Sequence, residues 1–295
     1  MLTGLSAFPL TPMRVDRVDL DAYAQLVGRL ADAGVDSIGA LGSTGSYAYL
    51  DRAERRAVAA ASVEHARGVP VIVGVGATRT SHVRALADDA QDAGASAVLL
   101  APVSYQALTD DDVFGLYSDV ATGLSVPLVV YDNPGTTHFS FSLDLYARIA
   151  ALPQVAAIKI PPVGDVEASR ARVGEIRAAV PERVRIGISG DGAAAAGLLG
   201  GCDTWFTAVG GTLPRTMLAI TRLALAGDDA ALTESSRLQP LWDLFGSYGS
   251  ARVTAAIAEH RGLVAAPSLP RPLLGLAGAD RQRVIDVVDE LGLRD

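Results

Sequence analysis

The 295-residue chain is short of several things, and each shortage excludes a class of function. It has one cysteine, Cys202, which excludes an intramolecular disulfide framework and a zinc site built from cysteines. Its four histidines, His65, His82, His138 and His260, are scattered with no i, i+4 pair, so the pattern predicts no metal site. Basic residues are outnumbered 25 to 33, a net charge of −8, which removes the basic footprint of a nucleic-acid binder. No uncharged apolar run approaches the roughly 20 residues that span a bilayer. No cationic stretch followed by an apolar run marks a secretory leader at the N-terminus. No Gly-x-Ser-x-Gly elbow announces a serine hydrolase. What remains is a cytoplasmic enzyme or binding protein without membrane or nucleic-acid partners. Hydrophobic residues make up 49% and charged residues 20%, enough for a substantial core.

The scarcest residue is lysine. Of the 25 basic residues, 25 − 1 = 24 are arginine and one is Lys159. Genomic base composition accounts for an arginine excess but not for its single exception. A position that keeps lysine in such a chain can need an amine able to lose its proton, which guanidinium effectively cannot do. Chance retention is the competing reading.

The chain reads as repeated strand–helix units. Apolar, β-branched runs at 4–8, 35–41, 70–75, 97–100, 127–131, 155–160, 184–188 and 203–208 predict eight strands. Helical spacing separates them, as in Leu20, Tyr23, Val27 and Leu30, which Gly34 terminates. Further helices are predicted over 51–66, 80–92, 143–150, 165–179 and 192–199. Thr109-Asp110-Asp111-Asp112 reads as a capping box with aspartate in place of glutamate, better explained by a helix start than by metal binding. Eight strands alternating with helices over about 210 residues predict an α/β fold, a (β/α)8 TIM barrel spanning 1–212. The rival is a doubly wound sheet. It would carry a glycine fingerprint after its first strand, where the sequence has Phe8-Pro9-Leu10-Thr11-Pro12 instead. Residues 213–295 predict a C-terminal helical extension with helices at 213–226, 230–245, 252–261 and 279–291, packed on the barrel or on a partner subunit.

In such a barrel the chemistry sits at the carboxyl ends of the strands. The polar residues predicted there are Ser43, Thr44, Ser104, Tyr105, Tyr131, Lys159 and Ser189. The sole lysine therefore passes an independent filter. Its flanks, Val155-Ala156-Ala157-Ile158 and Ile160-Pro161-Pro162, are apolar, and desolvation lowers a lysine pKa from its reference near 10.4. A neutral amine is nucleophilic and condenses with a ketone. The bland alternative is a lysine paired with a carboxylate at the barrel mouth. Tyr131 can relay protons or polarise a carbonyl, or simply pack with its hydroxyl on a backbone partner. Gly42-Ser43-Thr44-Gly45 offers hydroxyls and backbone N–H groups able to hold a carboxylate. The turns Ser189-Gly190-Asp191-Gly192 and Gly210-Gly211 partly fit a phosphate-binding pattern. Asp191 itself reads as a helix cap.

Taken in order, these segments resemble the dihydrodipicolinate synthase / N-acetylneuraminate lyase family of class I aldolases. The resemblance is carried by Phe8-Pro9-Leu10-Thr11-Pro12, Gly42-Ser43-Thr44-Gly45, Tyr131-Asp132-Asn133-Pro134, Ile158-Lys159, Ser189-Gly190-Asp191 and Leu269-Pro270-Arg271-Pro272-Leu273. It implies a lyase in which Lys159 forms an imine with pyruvate or another 2-oxo acid. Tyr131 would relay protons, and Ser43 and Thr44 would hold the carboxylate. The second substrate would be an aldehyde. No cofactor and no metal are implied. The assembly implied is a homo-tetramer or homo-dimer, with Tyr105, or alternatively Ser104, as the second tyrosine position of the family.

Three departures stand out. Ser46 replaces the family's glutamate after the glycine turn. Thr136 stands where the synthases place a carboxylate-binding arginine, which argues against aspartate semialdehyde. Trp205 and Phe206 occupy a segment that is usually smaller and would narrow the pocket. Thr136, His138 and Trp205 are the expected determinants of the distal substrate. Two other readings stay open: a dehydratase or hydratase-aldolase acting on a sugar acid or aromatic adduct, and a non-catalytic sensor that binds a small carboxylate.

Overall fold

Short runs dominated by apolar residues suit strands buried on both faces. A computed structural model describes residues 2–295, and all eight expected runs form strands in it. They are Gly4–Ala7 (β1), Ser37–Ala40 (β2), Val71–Gly74 (β3), Ala97–Leu100 (β4), Leu128–Tyr131 (β5), Val155–Ile160 (β6), Arg185–Ile188 (β7) and Thr204–Thr207 (β8). Each pairs in parallel with the next. β1 closes the ring by pairing with both β2 and β8, giving a closed barrel.

Seven main helices return the chain between strands and an eighth follows β8: Leu20–Ala33 (α1), Arg52–His65 (α2), Thr80–Asp92 (α3), Asp110–Ala121 (α4), Leu143–Ala150 (α5), Val166–Ala179 (α6), Ala194–Leu199 (α7) and Pro214–Leu225 (α8). Their starts are chemically marked. The side chains of Asp19, Asp51, Thr109, Ser142 and Asp165 each accept from a backbone N–H three residues on. Thr109 and Asp112 form the reciprocal capping box. Gly34 ends α1 in the left-handed region.

Two corrections concern the C-terminal region. The helix expected first, Pro214–Leu225, lies against β1 and α1 and takes the place of the barrel's eighth helix. The helices added to the barrel begin at Ala230. The single helix expected over 230–245 is two: Ala230–Arg237 (α9) and Gln239–Tyr248 (α10), joined at Leu238, with Pro240 in the first turn of the second. Proline has no N–H and cannot continue a preceding helix, but it fits a first turn. Ser250–His260 (α11) and Gly278–Glu290 (α12) follow. An antiparallel ribbon, Met13–Arg14 with Arg17–Val18, was not anticipated. Among the described residues no helix is long and apolar enough to cross a membrane.

The barrel sorts side chains by strand parity, because successive residues point to opposite faces. Ile72, Ala97, Leu99, Val129, Tyr131, Ala157 and Phe206 form one apolar cluster with Phe8, inside the barrel. Val98, Leu100, Leu128, Val130, Ile158, Ile160 and Trp205 belong to the other cluster, between strands and helices. The interior is fitted by pairing large with small. A Cβ on Gly39 would lie 2.2 Å from the Phe8 ring, one on Gly42 2.5 Å from it, and one on Gly187 2.3 Å from the Phe206 ring. These glycines make room for two aromatic rings at the mouth. Gly39→Ala and Gly187→Ala should therefore each overpack the interior and cost about 1–3 kcal/mol. Urea unfolding would show this as an earlier midpoint, whereas an unchanged midpoint would mean that the rings are not tightly fitted.

Candidate active site

Lys159 is the penultimate residue of β6, and its parity turns it into the barrel. It pairs in register with Tyr131, the last residue of β5. The lysine is 5% exposed. Its Nζ lies 4.1 Å from the Tyr131 ring centroid, 4.4 Å from Phe8 and 5.4 Å from Phe206. Phe8 and Phe206 meet edge to face, 6.1 Å apart. None of the ion pairs among the described residues involves Lys159. The bland alternative, a lysine tied to a carboxylate, is thus not what the geometry shows.

The amine lines a cavity of about 540 Å³ at the carboxyl ends of the strands. Ser43, Thr44, Tyr131, Thr136 and Ser189 line the same cavity, so six of the expected residues, Lys159 included, converge there. Tyr131 OH lies 3.3 Å from Ser43 Oγ and accepts from Asn133 Nδ2 at 2.9 Å. The phenol thus has a polar partner on either side, one of them a hydroxyl through which a proton can pass. The turn carrying Ser43 and Thr44 is held in an uncommon backbone conformation. Leu41 and Ser46 both have positive φ, 56° and 53°. The turn is tolerated because Gly74 leaves space: a Cβ there would meet the Leu41 carbonyl oxygen at 2.0 Å. Beneath it the buried Arg55 donates to the carbonyls of Gly74 and Gly76, each at 2.9 Å, under the Tyr47 ring. Burial lowers this guanidinium to about 10 and pushes the Tyr47 phenol up to about 12. A second cavity, about 530 Å³, opens beside Tyr47 and Arg55 and does not include Lys159.

Three expected residues lie elsewhere. Tyr105 is 94% exposed on the segment after β4 and is not in its own chain's cavity. His138 caps the short helix Pro134–Thr137 with φ 55° and faces solvent. Trp205 does not narrow the pocket. It is one residue out of phase with Phe206, so it points to the outer layer. Its Nε1 donates to Asp191 Oδ1 at 3.0 Å.

Asp191 is likewise not a helix cap. Its carboxyl also takes the N–H groups of Ala208 at 3.3 Å and Val209 at 2.9 Å, tying the loop after β7 to the loop after β8. Residues that had gone unremarked as parts of the site are Asn133, Thr207, Trp242 and Phe245. Nothing in the sequence places α10 over the cavity.

A second buried acid fastens the strand that carries Tyr131. Asp132 N donates to Lys159 O at 3.0 Å, and its carboxyl accepts from the Tyr146 hydroxyl on α5. Burial raises the Asp132 pKa, partly offset by the Tyr146 bond. A carboxyl raised in the folded state holds its proton better there than in the unfolded chain. It therefore opposes folding increasingly as pH rises from the ordinary carboxylate range through its raised value. Asp132→Asn should lose that dependence. Its unfolding free energy relative to the parent should rise as pH climbs from the ordinary carboxylate range, about pH 4, toward neutrality. Parallel denaturation curves across that range would count against it.

The sequence profile of the dihydrodipicolinate synthetase family matches residues 1–291. The 4-hydroxy-tetrahydrodipicolinate synthase of Methylococcus capsulatus is 32% identical over 297 residues, 99% of this chain and 100% of that one. A crystal structure of dihydrodipicolinate synthase from Agrobacterium tumefaciens is 42% identical, with a TM-score of 0.95, covering 98% of each chain. The chloride-inhibited synthase from Acinetobacter baumannii, crystallised with pyruvate, is 26% identical with a TM-score of 0.90 over the whole of both chains.

Proposed function

We infer the reaction from two facts together: the chain belongs to the dihydrodipicolinate synthetase family, and its one lysine stands unpaired in a barrel-mouth cavity. The protein is a lyase of the lysine Schiff-base type that works on pyruvate or another 2-oxo acid, making or breaking a C–C bond. The single observation that carries the assignment to Lys159 is its burial among three rings with no acid beside it.

The roles follow from the chemistry each group can perform. Lys159 Nζ adds to the keto carbon, and loss of water leaves an imine. Tyr131 gives a proton to the departing oxygen and takes one from the carbon next to the imine, with Ser43 as the adjoining hydroxyl. The resulting enamine carbon attacks an aldehyde, or is released by cleavage in the reverse direction. The Thr44 hydroxyl has no protein partner among the described residues. With Ser43 it suits the carboxylate of the 2-oxo acid, which would otherwise be buried without hydrogen bonds.

Treatment with pyruvate and borohydride should add an irreversible mass to the intact protein, and Lys159→Arg should abolish it. An arginine variant with full turnover would exclude this mechanism, and absence of any adduct on the parent would favour a carboxylate sensor. Tyr131→Phe should lower kcat by about 10²- to 10⁴-fold, with a smaller effect on pyruvate affinity.

The exposure of Tyr105 supports an assembly of at least two copies, in which its phenol is free to enter a neighbour's cavity. Light scattering should report a dimer or tetramer. Tyr105→Phe should lower kcat without dissociating it, and a fully active monomer would remove Tyr105 from the site.

A further inference from the structure

The charges and free hydrogen-bonding groups of the cavity bear on what the enamine attacks. Among the lining side chains, Lys159 and Asp191 are the only lysine, arginine, histidine or carboxylic groups. Once Lys159 is an iminium, its positive charge is matched by the carboxylate of the 2-oxo acid. No cation of this chain is left to face a second anion. Asp191, the other ionisable side chain, is an acid, and its oxygens are taken by Trp205, Ala208 and Val209. A carboxylate or phosphate on the second substrate would enter a confined site without a counter-ion, which is costly.

The neutral polar groups are also largely engaged. Asn133 donates to Tyr131, Ser189 Oγ donates to the Ile160 carbonyl at 2.7 Å, and Thr207 Oγ1 accepts from Gly210 N at 2.9 Å. Beyond the Ser43–Thr44 turn, the side-chain hydroxyls left to a polyhydroxylated partner are Thr136, which makes only a 3.4 Å contact with the Asn133 carbonyl, and Ser250. By contrast, the wall supplied by α10 is aromatic. Trp242 and Phe245 meet edge to face with centroids 5.8 Å apart. Trp242 is anchored by its Nε1 bond to the Ser235 carbonyl and backs onto Gly192, where a Cβ would come within 3.3 Å of it.

We propose that the partner of the enamine is an uncharged aldehyde with a flat apolar distal group, seated against Trp242 and Phe245. This rests on the reading of Lys159 as the Schiff-base residue. Aromatic faces reward an apolar, planar group by contact and by edge-to-face or offset stacking. They give nothing comparable to a charged or polyol tail.

The test compares benzaldehyde, glyceraldehyde and succinic semialdehyde as partners for pyruvate, with borohydride trapping of pyruvate on the same preparation. Benzaldehyde should show kcat/KM at least about tenfold above the other two. Phe245→Ala should lower kcat/KM for benzaldehyde by roughly tenfold, chiefly through KM. Thr136→Arg should raise kcat/KM for succinic semialdehyde. Preference of the parent for succinic semialdehyde or glyceraldehyde overturns the proposal, as does trapping without turnover of benzaldehyde. Failure to trap pyruvate would instead overturn the underlying assignment of Lys159, so the two failures are separable.

Discussion

An amine inside a barrel needs a place that neither exposes it to bulk water nor gives it an acid to hold. Phe8, Tyr131 and Phe206 provide that place around Lys159. While the nitrogen is charged, each ring face attracts it by roughly 0.5–2 kcal/mol. A buried carboxylate at similar range would instead hold the ammonium in an ion pair. The rings reach this position only because Gly39, Gly42 and Gly187 carry no side chain. A pattern of missing Cβ atoms on β2 and β7, and in the turn after β2, is therefore part of the chemistry of a residue on β6.

Most of the fold was legible in the sequence because periodicity and helix starts are local properties. The eight runs became eight strands, and Thr109, read as a cap, bonds as one, while the cap reading of Asp191 failed. Composition made Lys159 the only lysine, and the expected strand ends then put it at the barrel mouth, where it lines the cavity. Trp205 shows where local reading stops short. The tryptophan and Phe206 are adjacent, so a strand can send only one of them into the barrel. Once Phe206 takes the interior, Trp205 must face the helices. Parity was available in the sequence, but which phase faces inward depends on register with β1 and β7.

The residues that were not legible owe their positions to loops and to long-range packing. His138 ends a four-residue helix in a left-handed conformation that no periodicity announces. Trp242 and Phe245 reach the cavity because the C-terminal region breaks at Leu238 and α10 packs close to the short helical turn Asp191–Ala193. The helix could be predicted from sequence. Its placement over the barrel mouth could not, because that depends on tertiary contacts rather than propensity.

The two buried acids show how such loops are held once they are placed. Asp132 spends its carboxyl on Tyr146 of α5, and its own backbone N–H bonds the Lys159 carbonyl, so the strand bearing Tyr131 and the strand bearing the amine share one fastening. Asp191 spends its carboxyl on Trp205 and two backbone N–H groups, joining the loops after β7 and β8. Burial raises the pKa of both, a cost that a purely structural tie could avoid with asparagine. At Asp191 the carboxyl accepts three hydrogen bonds at once, more than an asparagine oxygen could take, whereas Asp132 keeps one oxygen without a partner. Groups that must keep their spacing through bond making and water loss are better held by such ties than by loop packing alone. Trp205 contributes from outside the barrel: it bonds the acid that ties the loops, while Phe206, one residue along, lines the cavity that holds Lys159.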